Sequence, residues 1–225
     1  MSSCAKTYEG VAALARASAR RFAPPAGLPA FFALTDPQRT PDPVALARRL
    51  PHGSGLVLRH FGLPDLMGLA PALARIARQR KLLFLIANDP GLALQVRAGG
   101  VHWPEAEAGR AAYWSRRMPH WRMTASAHGP RALRRKLPVH ARFLSPVFES
   151  DSPSAGPALD PVLSRRWARA SASPVYALGG VDTKTLKELD RTVFSGACAV
   201  SAKTADRPAE KADELDSLIR EGAER

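Results

Sequence analysis

The feature of this sequence that most restricts its fold is a regular alternation between short apolar runs and segments with helical spacing. From Ala30 onward, each apolar run ends in a turn and is followed by a helix-like stretch. This alternation is typical of βαβ units, because parallel strands need long crossover connections. The predicted strands are Phe31–Thr35, Leu56–Arg59, Leu82–Ile86, Gly100–Trp103, Met123–Ser126, Arg142–Leu144, Val175–Leu178 and Cys198–Ser201.

Eight strands alternating with helices over about 200 residues predict an α/β protein with a (β/α)8 TIM barrel. A doubly wound open sheet is the alternative, because alternation alone does not show closure. The barrel is favoured because polar residues recur at the C-terminal ends of the predicted strands, where a barrel builds its active site. They are Thr35, Arg59, Asn88, Asp89, Ser126, His128, Ser145, Gly179 and Ser201. We predict one domain over residues 29–225, after an N-terminal extension over residues 1–28 with a helix from Tyr8 to Phe22.

Composition restricts the class of protein further. The chain has 225 residues, of which 45% are hydrophobic and 24% charged, so we expect a globular fold. No apolar run approaches the roughly 20 residues that span a bilayer, and we expect no membrane partner. Cys4 and Cys198 lie far apart, which predicts no disulfide framework and suits a reducing cytoplasm.

The formal net charge of +13 allows two interpretations. It suits a polyanionic partner, or small anionic substrates drawn to a positive mouth. No helix-turn-helix, zinc-finger or RNA-binding signature accompanies the charge, so we expect no nucleic-acid partner.

The run Val175–Asp182 predicts a strand, a tight turn and the start of a helix capped by Asp182 or Thr183. The turn is Gly179-Gly180, and two glycines let backbone N–H groups approach a bulky anion at a helix N-terminus. In a barrel, the loops after the seventh and eighth strands commonly form one phosphate site. Gly179 and Gly180 are therefore a candidate phosphate cradle, with a plain helix-entry turn as the alternative.

Short motifs with a defined order carry a family resemblance between about Ala30 and Ala202. They are Ala33-Leu34-Thr35-Asp36, Leu58-Arg59, Ile86-Ala87-Asn88-Asp89, Gly100-Val101-His102, Ser126-Ala127-His128, Ser145-Pro146-Val147-Phe148, Ala177-Leu178-Gly179-Gly180 and Ala199-Val200-Ser201-Ala202. With these motifs the chain resembles the thiamine phosphate synthase family, and more closely its TenI branch, which includes thiazole tautomerases. The resemblance implies a transferase of thiamine biosynthesis that uses magnesium to join a pyrimidine methyl diphosphate to a thiazole phosphate. Family analogy also suggests a homo-oligomer.

The resemblance implies roles for individual residues. The substrate-binding set would be Arg59, Asn88, Ser126, Ser150, Ser152, Gly179, Gly180, Val200 and Ser201. The last four would hold the thiazole phosphate, while Arg59 and Asn88 would face the diphosphate or the pyrimidine. Asp89 would hold magnesium, with Glu107 as a substitute for the second metal-binding aspartate of the synthases.

Departures from the synthase pattern leave alternatives open. Val57 replaces a glutamine, and Phe61 and Pro153 stand where synthases carry lysines, so part of the diphosphate grip is missing. A TenI-like thiazole tautomerase needs only an anion cradle and one acid/base group, and His128 occupies the position of the tautomerase histidine. The third possibility is a degenerate barrel that binds a phosphorylated ligand without synthase activity.

Overall fold

In the computed structural model, which describes residues 3–59, 66–150 and 156–200, parallel strands close into an eight-stranded barrel. The strands are β1 (Phe31–Leu34), β2 (Gly55–Leu58), β3 (Leu83–Ala87), β4 (Gly100–Trp103), β5 (Arg122–Ala127), β6 (Ala141–Leu144), β7 (Val175–Ala177) and β8 (Phe194–Ala199). Each strand pairs with the next one, and β8 pairs with β1 through Phe31 opposite Ala197. This closure confirms the predicted TIM barrel and excludes the doubly wound sheet.

Helices surround the barrel. They are α1 (Ser3–Arg21), α2 (Pro43–Arg49), α3 (Leu66–Gln79), α4 (Pro90–Gln95), α5 (Ala111–Arg117), α6 (Pro130–Arg134) and α7 (Pro161–Arg169), with 3-10 segments at Ala108–Arg110 and Thr185–Glu188. The extra N-terminal helix is confirmed, since α1 contacts β1 and α2 and buries Val11 and Leu14. Within the described ranges, no helix is long and apolar enough to cross a membrane.

The barrel interior is filled by aromatic side chains from alternate positions of the strands. Phe32 and Phe143 have ring centroids 5.0 Å apart, and Tyr176 lies 5.5 Å from Phe32. The Tyr176 hydroxyl donates to the Pro29 carbonyl over 2.8 Å, which satisfies its polar end at the bottom of the barrel. Because the interior is packed, a ligand cannot enter it, and the strands themselves can contribute to a ligand site only at the ends of the barrel.

The eighth strand lies earlier in the chain than predicted. It begins at Phe194, four residues before Cys198. Gly196 and Ala197 have weak strand propensity, so the local pattern did not include them, but they pair with β7 and β1 and therefore belong to the strand. A Cβ at Gly196 would overlap the Tyr176 ring, so the core requires a glycine here. Only tertiary contacts could reveal that requirement.

The helix predicted from Asp182 is also wrong. Asp182 does cap a turn, since its Oδ1 accepts from the Lys184 and Thr185 backbone N–H groups over 2.7 and 2.9 Å. The chain then forms only the 3-10 segment Thr185–Glu188, because β8 begins six residues later and leaves room for a single turn.

Candidate active site at the barrel mouth

The C-terminal ends of the strands collect most of the predicted site residues at one face, which we call the mouth. Arg59 follows β2, Asn88 and Asp89 follow β3, and Gly179 and Gly180 lie just past β7. Parallel strands in a closed barrel end at the same face, so these residues share it. Val200 directly follows β8, and Ser150 belongs to the loop after β6. Ser152 and Ser201 lie outside the described residues.

The Gly179-Gly180 turn is shaped by its own backbone and by the loop after β6. The φ angles are 89° and 62°, in the left-handed region that favours glycine. A Cβ on Gly179 would lie 2.8 Å from Pro146 Cα, and one on Gly180 would overlap the Glu149 carbonyl oxygen. The Phe148 N–H donates to the Gly179 carbonyl over 3.1 Å, so the two loops support each other.

This turn also presents unused hydrogen-bond donors. In the part of the chain that the structure describes, the N–H groups of Gly179, Gly180 and Val181 donate to no protein acceptor. The next amide, that of Asp182, donates to Thr185 Oγ1 over 2.9 Å and ends the series. Successive free amides in a turn form a concavity that binds anions. The turn therefore has the donors that a phosphate cradle needs.

Arg59 is held in place by a carboxylate. Its Nη2 donates to Asp36 Oδ2 over 2.8 Å, and Arg39 Nη2 donates to the same oxygen over 3.0 Å. The Arg59 backbone N–H donates to Thr35 Oγ1 over 3.0 Å. Burial acts to raise the pKa of Asp36, but the hydrogen bonds from Arg39 and the charges of Arg39 and Arg59 outweigh it and hold the pKa well below its ordinary value.

This cluster carries a net positive charge at the mouth. Two guanidinium groups share one carboxylate, and the Arg39 and Arg59 side chains keep 28% and 30% of their surface exposed. Sequence reasoning identified Arg59 but missed Arg39, although the i, i+3 spacing of Asp36 and Arg39 was a usable signal. Arg39 is thus a second cation beside Arg59. Phe61 and Pro153, which stand where synthases carry lysines, lie outside the described residues.

Another cation, Arg110, lies between two predicted site residues. Its Nη1 is 3.5 Å from Asn88 Oδ1 and 3.8 Å from Glu107 Oε2, and its guanidinium lies 5.0 Å from the centre of the Trp103 ring. Asn88 has a positive φ of 55°, and its N–H donates to the His102 carbonyl over 2.9 Å. The structure therefore places Asn88 and Glu107 around a positive charge that the sequence did not reveal.

The predicted magnesium ligands match the donor chemistry of that ion only in part. Asp89 Oδ1 caps α4 by accepting from the Leu92 N–H over 2.9 Å, while Oδ2 has no protein partner in the described ranges. Those ranges contain no cluster of three or more His, Cys, Asp or Glu side chains suited to a metal. Magnesium is commonly held by one or two carboxylates together with substrate phosphates. Asp89 thus offers one carboxylate oxygen without a protein partner in those ranges, while Glu107 Oε2 lies 3.8 Å from Arg110 Nη1.

Ser126 is tied to a buried histidine. His102 is 3% exposed, its Nδ1 lies 2.8 Å from Thr124 Oγ1, and its Nε2 lies 3.0 Å from Ser126 Oγ. The ring stacks on Phe143 with centroids 4.7 Å apart. Burial, and then the positive charge of Arg59, lower the pKa of His102 to about 3. His102 is therefore neutral near pH 7 and orients the Ser126 hydroxyl below the mouth.

His128 is paired with Glu105. The Glu105 Oε2 atom accepts from the His128 backbone N–H over 2.7 Å and lies 2.9 Å from Nδ1. The His128 side chain is 59% exposed at the rim, where it lines a cavity beside α6. The Glu105 carboxylate can accept from an Nδ1–H, and Nε2 has no protein partner in the described ranges. Sequence analysis gave Glu105 no role at the site, because its spatial contact with His128 has no local signal.

Comparison with known proteins agrees with this fold. The family model described as thiamine monophosphate synthase (TMP-TENI) matches residues 56–202. The candidate thiamine-phosphate synthase 2 of Aquifex aeolicus is 30% identical over 77% of this chain and 97% of its own length. Thiamine-phosphate synthase of Alcanivorax borkumensis is 28% identical over 76% of this chain and 82% of its own length.

A solved structure has the same fold. Thiamine phosphate pyrophosphorylase from Pyrococcus furiosus superposes with a TM-score of 0.65 at 19% identity, over 85% of this chain and 95% of that one. The family match covers more than half of the chain, and the closed eight-stranded barrel agrees with it. The chain therefore belongs to the thiamine monophosphate synthase family.

Proposed function

We propose that this chain binds a thiazole phosphate at the mouth and joins it to a pyrimidine methyl diphosphate, forming thiamine phosphate. The observation that carries the proposal is the series of unused N–H groups at Gly179, Gly180 and Val181. They lie in the loop after the seventh strand, where barrels commonly bind phosphate. Val200 follows the neighbouring strand and would close the same subsite.

The proposed reaction needs mainly a grip on the diphosphate. The bond between the pyrimidine methylene carbon and the diphosphate oxygen breaks, and its electron pair leaves with the diphosphate. The thiazole nitrogen supplies the electron pair for the new carbon–nitrogen bond. Fixed positive groups stabilise the leaving anion, and Arg59 would serve in this way because Asp36 holds it in place.

Other groups at the mouth would support the same step. Arg39 would add charge beside Arg59, and Asn88 would contact the pyrimidine or the diphosphate. Asp89 and Glu107 would hold magnesium, which would neutralise diphosphate charge when bound. Ser126, near the end of β5, and Ser150, in the loop after β6, would contact the substrates.

The first test is synthase activity of the purified chain with both substrates and magnesium, measured by oxidising thiamine phosphate to a fluorescent product. We expect product, and we expect Arg59→Ala to lower kcat about 10²-fold to 10³-fold, the usual loss when one preorganised donor is removed. Arg48→Ala is the matched control, because Arg48 lies in the last turn of α2 and outside the mouth. A folded wild-type protein that makes no product refutes the synthase proposal.

The His128–Glu105 pair favours a second candidate, a TenI-like thiazole tautomerase. Moving a proton on a thiazole phosphate carboxylate requires an acid/base group whose orientation is fixed. Glu105 fixes His128 through two hydrogen bonds, and the exposed ring leaves Nε2 accessible. The phosphate of this substrate would use the same glycine turn.

Proton NMR of a thiazole phosphate carboxylate in deuterated water tests the tautomerase. We expect solvent-derived deuterium in the product, loss of turnover in His128→Ala, and a lower kcat in Glu105→Ala, which removes both hydrogen bonds to His128. His120→Ala is the control, since His120 is an exposed histidine in the turn before β5. If neither reaction occurs but the phosphate compounds bind, the degenerate barrel is correct.

The remaining expectations about the cell stay predictions. A cytoplasmic location, self-association and the lack of a nucleic-acid partner were inferred from the sequence and the family resemblance. The buried, unpaired Cys198 is compatible with a reducing compartment.

A further inference from the structure

A second cavity lies in the helical layer, outside the strands. It lies between the 3-10 segment Ala108–Arg110 and α6 and has a volume of about 510 Å³. We call it the α6 cavity. Its polar lining consists of Glu105, His128, Arg131, Arg135 and Arg142. The volume lies within the usual range of about 300–1,000 Å³ for small-molecule sites.

Arg142 is the unusual member of this lining. Its neighbours Ala141 and Phe143 belong to the interior barrel cluster, so Arg142 projects to the opposite side of β6, toward the helices. It is only 1% exposed, although charged side chains are almost never fully buried unless they are paired.

Arg142 is also only partly satisfied. Its Nη2 donates to the Arg135 carbonyl over 2.9 Å. Its Nε is buried and finds no acceptor in the described portion of the chain. An unpartnered donor on a buried cation is costly, and an anion in the adjoining cavity would remove that cost.

The charges around the α6 cavity favour an anion as well. Three guanidinium groups face a single carboxylate, Glu105, whose Oε2 already accepts from His128. Burial, and then the charge of Arg135, lower the pKa of Arg142, while Glu105 opposes the shift. Arginine still keeps its proton in proteins, so the cavity keeps an excess of positive charge.

We propose that the α6 cavity is a second binding site, separate from the glycine turn, for a small tetrahedral oxyanion of the phosphate class. The anion would accept from Arg142 Nε and from the exposed guanidinium groups of Arg131 and Arg135. Guanidinium groups suit phosphate because their planar forks donate two parallel hydrogen bonds. The site uses none of the amides of the glycine turn, so it does not depend on the proposed synthase reaction, and it shares only Glu105 and His128 with the tautomerase candidate.

Calorimetric titration of the full chain with inorganic phosphate at low ionic strength tests this inference. We expect two sites per chain, one at the mouth and one in the α6 cavity. Arg135→Ala removes an exposed cation and should weaken the cavity site about 10-fold to 100-fold, the loss expected for one charge-assisted hydrogen bond. Arg142→Met keeps most of the buried volume and should abolish the site, with circular dichroism as the check on folding.

Arg134→Ala is the matched control. Arg134 lies on the same helix, but its Nε donates to the Pro130 carbonyl over 3.3 Å and it is not part of the α6 cavity lining. We expect less than about a twofold change for this variant. An equal loss in Arg134→Ala and Arg135→Ala would mean diffuse electrostatic attraction and would overturn the inference.

A Gly180→Ala variant separates this inference from the proposed function. If phosphate still binds Gly180→Ala at one site and adding Arg142→Met then abolishes that binding, the α6 cavity is occupied as proposed. The cavity inference fails if Gly180→Ala alone removes all phosphate binding. It also fails if only one site is found and Arg135→Ala leaves that site intact. In both cases the mouth proposal stands. If Arg135→Ala removes all binding and Gly180→Ala changes nothing, the mouth subsite fails instead.

Discussion

Replacing Gly180 by alanine should destabilise the fold and weaken phosphate binding at the mouth. Gly180 has a φ of 62°, where an L-residue costs about 1–2 kcal/mol relative to glycine. The added Cβ would also overlap the Glu149 carbonyl oxygen and lie 2.8 Å from Phe148 Cβ. Backbone displacement of this kind adds about 1–3 kcal/mol. We expect a total loss of about 2–5 kcal/mol in the free energy of unfolding.

Gly53→Ala is the matched control for this prediction. Gly53 has a φ of 76°, and an added Cβ would have no neighbour within 4 Å. This variant should show only the conformational cost of about 1–2 kcal/mol. For a domain of this size, each kcal/mol corresponds to a fall in Tm of about 2–4 °C. The difference between the two variants measures the contact between the β7 and β6 loops.

The assays are urea unfolding followed by circular dichroism, and calorimetric binding of the thiazole phosphate to the folded proteins. The Gly180 clash must move the amides of the turn, so we expect the Kd of Gly180→Ala to rise at least about 10-fold. Gly53→Ala should bind like the wild type. If Gly180→Ala unfolds with the same free energy as Gly53→Ala and binds with the wild-type Kd, the steric argument and the cradle assignment are both wrong.

Three further predictions concern titratable groups. The pKa of His102 is 6.5 in the unfolded chain and about 3 in the folded chain. Between pH 7 and pH 5 the unfolded chain therefore gains a proton at His102 that the folded chain does not, and stability should fall by about 2 kcal/mol. His102→Gln should remove this part of the fall in urea unfolding, and His120→Gln should not. Burial also lowers the pKa of His140, so a smaller fall should remain in His102→Gln. The pKa of Asp36 is lowered in the fold, so its stabilising contribution is present above about pH 4 and disappears as the pH drops further. The stability difference between wild type and Asp36→Asn should shrink accordingly in acid, and a constant difference would contradict the ion-pair account. Burial raises the pKa of the Cys198 thiol, so the thiol should not react with a thiol reagent until urea unfolds the chain. Peptide mapping of the labelled protein measures this, and rapid labelling of the native protein would count against the burial of Cys198.

Local pattern was enough to predict most of the barrel. The fourth strand, Gly100–Trp103, was predicted with its observed bounds, and six others were predicted within one or two residues. Short apolar runs and turn residues carry this information because they act between neighbours in the sequence. The eighth strand was misplaced because Gly196 is selected by the Tyr176 ring, which comes from another strand.

The chemical groups of the site depended on contacts between distant residues. Asp36 binds Arg59 from 23 positions away, and Glu105 meets His128 at the same separation. Arg142 projects away from the barrel interior, and the sequence alone cannot show whether that side of the strand faces solvent or packs against helices. The amino-acid sequence by itself determined the alternation of strands and helices, the glycine turn and the family motifs, because these follow from local periodicity and backbone freedom. Only the tertiary structure decided which charges are paired, which donors remain unused and which cations are buried, because those properties arise where separate segments pack together.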